Sequence, residues 1–224
     1  MTLKEYFGNW LEVIDVEELY KVRDKLKKVN PLLLCPHPNN IFKAFEYCSY
    51  ENLKIIMLGY DPYPQKDVAT GIMFGNNINT SENKISQSLN IIKEACINFE
   101  VPHNIINFDI TLESWCKQGI LMLNSALTCE LGKTGSHVMI WRPFISKLLK
   151  NLSKKDSNLV YVLFGKQAKT FKPYISKYNT VLEIEHPSYF ARTNTQMPSK
   201  LFEDINKIII NKYGTSIKWY QELT

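Results

Sequence analysis

One carboxylate in this chain sits on an unusually stiff loop. Residues 59 to 64 read Gly-Tyr-Asp-Pro-Tyr-Pro, so Asp61 is followed directly by Pro62 and then by the aromatic Tyr63. Proline fixes its own φ and disfavours the helical conformation of the residue before it. The loop therefore holds the Asp61 carboxylate in a defined orientation, as expected for a catalytic or ligand-binding group. For this segment alone, a solvated aspartate in a proline-rich turn is the alternative.

A second polar group, Asn124, follows the apolar run 121–123 and precedes Ser-Ala-Leu-Thr. An amide at the end of an apolar strand must either bond to the local backbone or face a ligand. Its donor and acceptors suit the reading of a base edge. A residue that forms a turn at the strand end is the alternative.

A third group, His186, opens the segment His-Pro-Ser-Tyr-Phe-Ala-Arg. Ser188 suits a phosphate contact, Phe190 suits stacking or wedging, and Arg192 supplies positive charge, a mixture typical of a nucleic-acid contact loop. A core or turn histidine is the alternative for His186. His137, in Gly-Ser-His, is expected to be structural or to face a phosphate.

The remaining sequence offers few other signs of chemistry. The other two histidines, His37 and His103, have no suggestive neighbours. The chain contains no G-x-S-x-G, G-x-x-x-x-G-K-[ST], G-x-G-x-x-G or H-E-x-x-H motif, which argues against nucleotide triphosphate and dinucleotide chemistry.

Four apolar runs predict the strands that position these groups. They are Lys54–Leu58, Ile120–Leu123, Leu159–Phe164 and Thr180–Ile184. Helical patterns lie before and between them: Val16–Val29, Ile41–Cys48, Ile85–Phe99, Leu112–Gln118, a helix opened by Pro143 and running to about Leu152, and one opened by Pro198 and ending before Gly214.

Strands that alternate with helices predict an α/β fold, here a single domain with a central four-stranded, mainly parallel, twisted sheet flanked by helices. In such sheets ligands bind beyond the carboxyl ends of the strands. That rule selects Asp61, Asn124, the pair Gly165 and Lys166, and His186. One acid, one amide, one cation and one imidazole are therefore expected at the same edge.

Composition sets the broad class. The 224 residues are 45% hydrophobic, enough for one sizeable core, and the net charge of +5 is a mild indication of a polyanionic partner. No apolar run reaches the length of a membrane span, and the start lacks the layout of a signal peptide. The five cysteines are scattered without a C-x-x-C, which favours a reducing compartment, expected to be cytoplasmic.

The order of three segments, 59–64 with 121–128 (Leu-Met-Leu-Asn-Ser-Ala-Leu-Thr) and 186–188 (His-Pro-Ser), resembles family 1 uracil-DNA glycosylases. Further matching segments are 41–45, 71–74, 88–91, 113–119 and 135–137. The resemblance covers roughly residues 36 to 213 in family order, and it implies that residues 1–224 form one glycosylase domain.

The resemblance also implies roles for the base-contacting residues. Uracil would be flipped out of the DNA stack. Phe74 would stack on the base, Asn124 would pair with its N3–H and O4, and the Tyr63 ring would block the methyl group of thymine. His186 would donate a hydrogen bond to uracil O2, and Asp61 would position water and stabilise the cationic sugar.

The same resemblance implies a monofunctional enzyme of base excision repair that needs neither metal nor cofactor and leaves an abasic site. The expected partner is uracil-containing DNA, single- or double-stranded, bound by a monomer of bacterial or viral origin. The residues assigned to DNA contact are Ser88, Lys166, Ser188, Phe190 and Arg192, with Tyr60 beside the substrate.

Several positions depart from the family pattern. The usual hexapeptide is Gly-Gln-Asp-Pro-Tyr-His, but Tyr60 and Pro64 replace its Gln and His. Lys166 stands where the family has the Ser of Trp-Gly-Ser, and Phe190 stands where it has its Leu wedge. Pro64, the segment 129–133 and the Gly-Lys pair resemble poxviral members, which also serve in a polymerase processivity factor.

These departures leave two alternatives open. One is a DNA-bound processivity or interaction subunit in which catalysis is secondary, with a replication or inhibitor protein as partner. The other is a relaxed glycosylase that acts on other bases, if Tyr60 and Pro64 reshape the pocket.

Overall fold

The computed structural model describes residues 2–97 and 105–223. His103 and the predicted helix end at Phe99 lie outside this range. The helices are α1 (Leu3–Phe7), α2 (Val16–Leu26), α3 (Lys43–Tyr47), α4 (Gln87–Ile97), α5 (Glu113–Lys117), α6 (Val138–Lys155), α7 (Gly165–Lys169), α8 (Pro187–Thr193) and α9 (Lys200–Tyr213). The strands are β1 (Leu34–Cys35), β2 (Ile55–Gly59), β3 (Ile105–Asn107), β4 (Ile120–Asn124), β5 (Cys129–Glu130), β6 (Val160–Phe164), β7 (Thr180–Ile184) and β8 (Gln221–Leu223).

Four of these strands form the central sheet in the order β4-β2-β6-β7, and all three pairings are parallel. Every residue of β2, β4 and β6 is buried, as expected for parallel strands covered by helices on both faces. The four predicted strands and the α/β sheet are therefore confirmed. Two smaller antiparallel pairs, β1 with β5 and β3 with β8, lie outside this sheet.

The predicted helices are confirmed with shifted ends, except for one start. α4 buries one face that includes Leu89, Ile92 and Cys96, and α9 ends at a left-handed Gly214. The helix expected to open at Pro143 begins instead at Val138 and carries the proline in its interior.

That early start has a packing explanation. Proline removes one helical hydrogen bond and disfavours the interior of a helix. In α6, however, Trp141, Phe144, Ile145 and Leu148 are all buried, and they follow one another at helical spacing. Burial of this face stabilises the turn that precedes the proline, so tertiary packing overrides the local propensity.

The sheet and its helices share one hydrophobic core, which holds the strand ends rigidly. Since the strands are parallel, all their carboxyl ends lie at one edge, and the register pairs Gly59 with Asn124 and Phe164 with Ile184 there. None of the helices within residues 2–97 and 105–223 is both long and apolar enough to cross a membrane.

Candidate active site

A cleft of about 890 Å³ opens at the carboxyl edge of the central sheet. Asp61 lines it after β2, Asn124 at the end of β4, Lys166 after β6 and His186 after β7. The structure thus brings together the four groups assigned to this edge from the sequence. The cleft is also lined by Tyr60, Tyr63, Phe74, Ser88, Ser188 and Arg192.

The Asp61 carboxylate is half-buried and is held by the backbone of a distant loop. Its Oδ2 accepts a hydrogen bond of 2.5 Å from the N–H of Gly135. Burial raises the pKa of Asp61, and the Gly135 N–H counteracts that rise because it stabilises the charged form. The carboxyl group is therefore a stronger base than a solvated aspartate, in a fixed orientation.

The Asn124 amide lies against β2 because its neighbour in the sheet is a glycine. A Cβ atom at Gly59 would stand 2.7 Å from Oδ1 of Asn124 and 2.6 Å from Sδ of Met73. The side chain of Asn124 is only 9% exposed. In the part of the chain that the structure describes, its amide has no hydrogen-bond partner, so a donor and an acceptor face the cleft.

The His186 imidazole is neutral, and its hydrogen bonds determine which ring nitrogen carries the proton. Burial, and then the charge of Arg192, lower the pKa of His186 to about 4. Its Nδ1 accepts a 3.2 Å hydrogen bond from the backbone N–H of Ser188, and the Ser188 hydroxyl lies 2.9 Å from the same nitrogen. Because Nδ1 is an acceptor, the proton resides on Nε2, which can donate to a ligand.

Close approach of the β6 end also fixes the position of His186. Gly165 has a φ of +80°, and a Cβ atom there would come within 2.8 Å of the His186 Cβ. Only glycine permits this contact and this backbone conformation together. The glycine at the start of α7 therefore helps to set the depth of the imidazole in the cleft.

An aromatic wall faces these polar groups. The Phe74 ring meets the rings of Phe164 and His186 edge to face, with both centroid distances at 5.4 Å. Tyr63 donates a 3.1 Å hydrogen bond from its hydroxyl to the carbonyl of Phe74. A planar heterocycle bound in this cleft could stack on Phe74 while its edge met Asn124 and His186.

The rim of the cleft carries positive charge. Lys166 and Arg192 are exposed, and neither forms an ion pair with any carboxylate among the described residues. Glu185 also lines the cleft, but Lys169 neutralises it at 2.6 Å. Across residues 2–97 and 105–223, no three His, Cys, Asp or Glu side chains are grouped as metal ligands.

Phe190 does not line the cleft, which argues against the role of DNA wedge expected for it. Its side chain is 8% exposed and belongs to the hydrophobic core, so it cannot enter a base stack without leaving the core. The preceding residue, Tyr189, is 41% exposed and does line the cleft. Helix α8 packs against α4, and within α8 Phe190 is buried while Tyr189 is exposed.

Sequence reasoning missed the partner of Asp61. Gly135 acts through its backbone N–H, which has no side-chain signal; the only clue was the Gly-Ser-His segment. In the same loop, His137 is buried with Nδ1 at 2.9 Å from the Thr128 hydroxyl, which accepts a bond from Trp141 Nε1. His137 is thus structural, the first of the two roles considered for it.

The cleft of this parallel α/β fold combines a carboxylate, an unpaired amide, a neutral imidazole and an aromatic wall, with positive charge at its rim. These features define a hydrolase-type pocket for a planar base carried on an anionic polymer. The model of the Uracil DNA glycosylase superfamily matches residues 45–209. The chain belongs to this superfamily.

Relatives that match most of the chain are consistent with this family assignment. A uracil-DNA glycosylase of Borrelia turicatae (strain 91E135) is 37% identical over 210 residues, 92% of this chain and 87% of that protein. One of Mycoplasmopsis pulmonis (strain UAB CTIP) is 34% identical over 190 residues, 84% of this chain and 83% of that protein.

The fold agrees as well. The crystal structure of mimivirus uracil-DNA glycosylase matches with a TM-score of 0.72 at 20% identity, and it covers 98% of this chain and 93% of that one. A mimivirus UNG variant in complex with UGI matches with a TM-score of 0.74 at 23% identity, over 91% of this chain and 81% of that one.

Proposed function

We propose that this protein is a monofunctional uracil-DNA glycosylase, which hydrolyses the N-glycosidic bond of uracil in DNA and leaves an abasic site. The observation that carries the proposal is the convergence of Asp61, Asn124, His186 and Phe74 on one cleft. Family membership and the relatives named above support the same activity. Hydrolysis here uses only groups of the chain itself.

The base must leave the DNA stack to reach these groups, since its glycosidic bond is inaccessible inside a duplex. Extrusion costs a few kcal/mol, and stacking on Phe74 offsets part of that cost. We assign the wedge to Tyr189 rather than to Phe190, because Tyr189 is the exposed aromatic side chain that α8 directs into the cleft. A ring inserted between bases can hold the gap open.

Two side chains select the base. The free amide of Asn124 matches the N3–H and O4 of uracil, whereas cytosine reverses that pattern at a cost of about 1–3 kcal/mol for a bidentate contact. The ring of Tyr63 is anchored by its hydroxyl to Phe74, and we assign it to block the C5 methyl of thymine. Hydrogen bonding therefore excludes cytosine, and shape excludes thymine.

His186 stabilises the leaving uracil. Negative charge builds on O2 as the glycosidic bond breaks, and the Nε2–H of a neutral imidazole is positioned to donate to it. Removal of one preorganised donor of this kind costs about 10²–10³ in rate. The Ser188 hydroxyl has a single proton and already lies beside Nδ1, so its first role is to orient His186, in competition with the expected phosphate contact.

Asp61 acts on the sugar. As uracil leaves, the sugar gains oxocarbenium character, and a carboxylate beside it stabilises that charge and orients the attacking water, as in glycoside hydrolysis. The Gly135 N–H keeps the carboxylate ionised and fixed. The water oxygen bonds to the anomeric carbon, and its proton can pass to Asp61.

We assign binding of the DNA backbone to residues at the rim of the cleft. Lys166 and Arg192 form no ion pair among the described residues, and Ser88 lies in the first turn of α4, where backbone N–H groups favour an anion. Tyr60 also lines the cleft, and a Cβ at Gly135 would lie 2.3 Å from its hydroxyl. Tyr60 thus packs over the loop that holds Asp61, and we assign it to support of that loop.

The test is an oligonucleotide with one uracil, incubated with the protein in EDTA and then heated in alkali. Cleavage at uracil is expected, with a thymine oligonucleotide left intact. Asp61→Asn and His186→Ala should lose most of this activity and still bind DNA. A folded wild-type protein that leaves the uracil strand whole would refute the proposal.

The proposal extends to protein partners, cellular location and oligomeric state. The match to a mimivirus variant in complex with UGI supports an inhibitor protein as a partner, and the bacterial relatives support a cytoplasmic enzyme. A role as a processivity subunit with secondary catalysis is not favoured, because the relatives that span more than four fifths of the chain are named for the enzyme. We propose that the protein acts as a monomer; sedimentation would test this.

A further inference from the structure

Phe74 holds a backbone conformation that bulky residues rarely adopt. Its φ is +64°, in the left-handed region, although it is not a glycine. Such conformations persist only where surrounding contacts determine them, and they occur at functional sites. The residue is 6% exposed, and its ring forms the aromatic wall of the cleft. Something nearby must therefore hold its peptide.

One holding contact comes from Tyr63, whose hydroxyl donates to the Phe74 carbonyl at 3.1 Å. Burial raises the pKa of the Tyr63 phenol well above its ordinary value, so the hydroxyl keeps the proton that it donates. The same contact fixes the Tyr63 ring relative to the Phe74 ring. The residue that faces C5 of the base and the residue that faces its plane are thus linked by one hydrogen bond.

A second contact fixes this link to the rest of the fold. Asn76 is fully buried, and its backbone N–H donates to the carbonyl of Ile110 at 2.8 Å. Its side-chain amide closes a two-bond ring with Ser86: Nδ2 donates to Ser86 Oγ at 2.7 Å, and Oδ1 accepts from the Ser86 N–H at 2.8 Å. Asn76 is only two residues after Phe74, so this ring anchors the segment that carries the Phe74 peptide.

We propose that Tyr63, Asn76 and Ser86 form a positioning chain that sets the gap between the Tyr63 ring edge and the Phe74 ring face, and thereby sets how large a C5 substituent the pocket admits. The inference rests on the proposed glycosylase function and deepens it. Exclusion of thymine then depends on the hydroxyl of Tyr63 as well as on its ring. Asn76 and Ser86 act through the segment that carries Phe74 and touch no base.

The decisive variant is Tyr63→Phe, which keeps the ring and removes only the hydroxyl. Inhibition of uracil excision is measured with free uracil, 5-fluorouracil, 5-bromouracil and thymine, whose C5 substituents increase in size, and with cytosine. We expect the affinity for uracil to fall by no more than about five- to tenfold, because the hydrogen bond removed lies within the protein and reaches the base only through the position of the two rings. The preference for uracil over the larger bases should fall as well, while the preference over cytosine, set by Asn124, stays.

Controls separate positioning from general damage. Tyr178→Phe removes a hydroxyl from a residue that is 73% exposed and does not line the cleft, and it should match wild type. Ser86→Ala should change the C5 preference in the same direction even if Tyr63→Phe folds poorly, with folding followed by thermal melting. The double variant should change little more than Tyr63→Phe alone, because both act on the position of Phe74.

The outcomes are distinct. A wild-type protein that releases no uracil overturns the proposed function itself. A wild type that is active, with both variants folded and their preference across the C5 series unchanged, overturns only the positioning chain. Loss of the uracil-over-thymine and uracil-over-cytosine preferences in parallel also overturns it, because the effect would then not be confined to C5.

Discussion

Substitution of Gly59 by alanine is expected to disable base recognition without unfolding the protein. The added carbon would lie 2.7 Å from Oδ1 of Asn124, whereas ordinary contacts begin at 3.4 Å, so the amide must retreat by about 0.7 Å. The flexible Met73 side chain, with Sδ at 2.6 Å, can move aside. Gly59 is a strand residue and has no left-handed φ, so its backbone accepts alanine.

The size of the effect follows from the geometry of the site. A misplacement of about 1 Å can cost about 100-fold in rate, so a shift of 0.7 Å is expected to lower uracil excision by about 10- to 100-fold. That loss corresponds to about 1.4–2.7 kcal/mol of transition-state stabilisation. Single-turnover release of uracil from an oligonucleotide measures it, and the melting temperature reports on folding.

Asn124 provides the control. If Gly59→Ala acts through the amide, it should add less than about twofold in an Asn124→Ala background, because the two changes then share one contact. A folded Gly59→Ala variant that works within about twofold of wild type would refute the reasoning. So would a full additional loss in the Asn124→Ala background, since the methyl group would then act elsewhere.

Four further predictions concern charge and packing. Asp61→Asn should lose most activity yet raise the melting temperature at neutral pH. The reason is that a carboxylate whose folded pKa exceeds its unfolded value destabilises the folded state once it ionises. An unchanged or lower melting temperature would contradict the burial argument. In the wild-type pH–rate profile, activity should fall as Asp61 is protonated, and no limb should appear near pH 6.5 from His186, whose pKa is about 4; a limb there that vanishes in His186→Gln would show a charged imidazole. Lys166→Ala should weaken binding to all DNA sequences alike and reduce the slope of log K against log salt by about one, and an unchanged slope would remove Lys166 from the interface. Tyr189→Ala should impair excision from duplex more than from single-stranded DNA at unchanged stability, whereas Phe190→Ala should lower the free energy of unfolding by about 3–5 kcal/mol; the opposite pattern would restore Phe190 as the wedge.

The sheet and the convergence of its polar groups could be predicted from the sequence. Continuous apolar runs such as Leu159–Phe164 are a local property, and they produced a buried parallel strand within one residue of the predicted start. The rule that ligands meet at the carboxyl edge then required only the residue after each strand. Asp61, Asn124, Lys166 and His186 do line one cleft, because parallel strands leave them no other edge.

Tertiary packing overrode two expectations based on local sequence, namely the start of the helix at Pro143 and the exposure of Phe190. Pro143 was expected to open a helix, but buried side chains on both sides of it extend α6 back to Val138. Tyr189 and Phe190 are adjacent on a short helix and differ by about 100° around its axis. No local pattern decides which of the two faces the core, and in the folded protein it is Phe190.

The sequence by itself determined the strands, the family and the identity of the groups that line the cleft, because residue types and apolar runs are encoded locally. Only the tertiary structure decided what holds those groups in place. The Gly135 N–H on Asp61, the space that Gly59 leaves for Asn124 and the left-handed backbone of Phe74 all arise between segments distant in the chain. Backbone donors and the absence of a side chain carry no residue-type signal, so such contacts become visible only when the chain is folded.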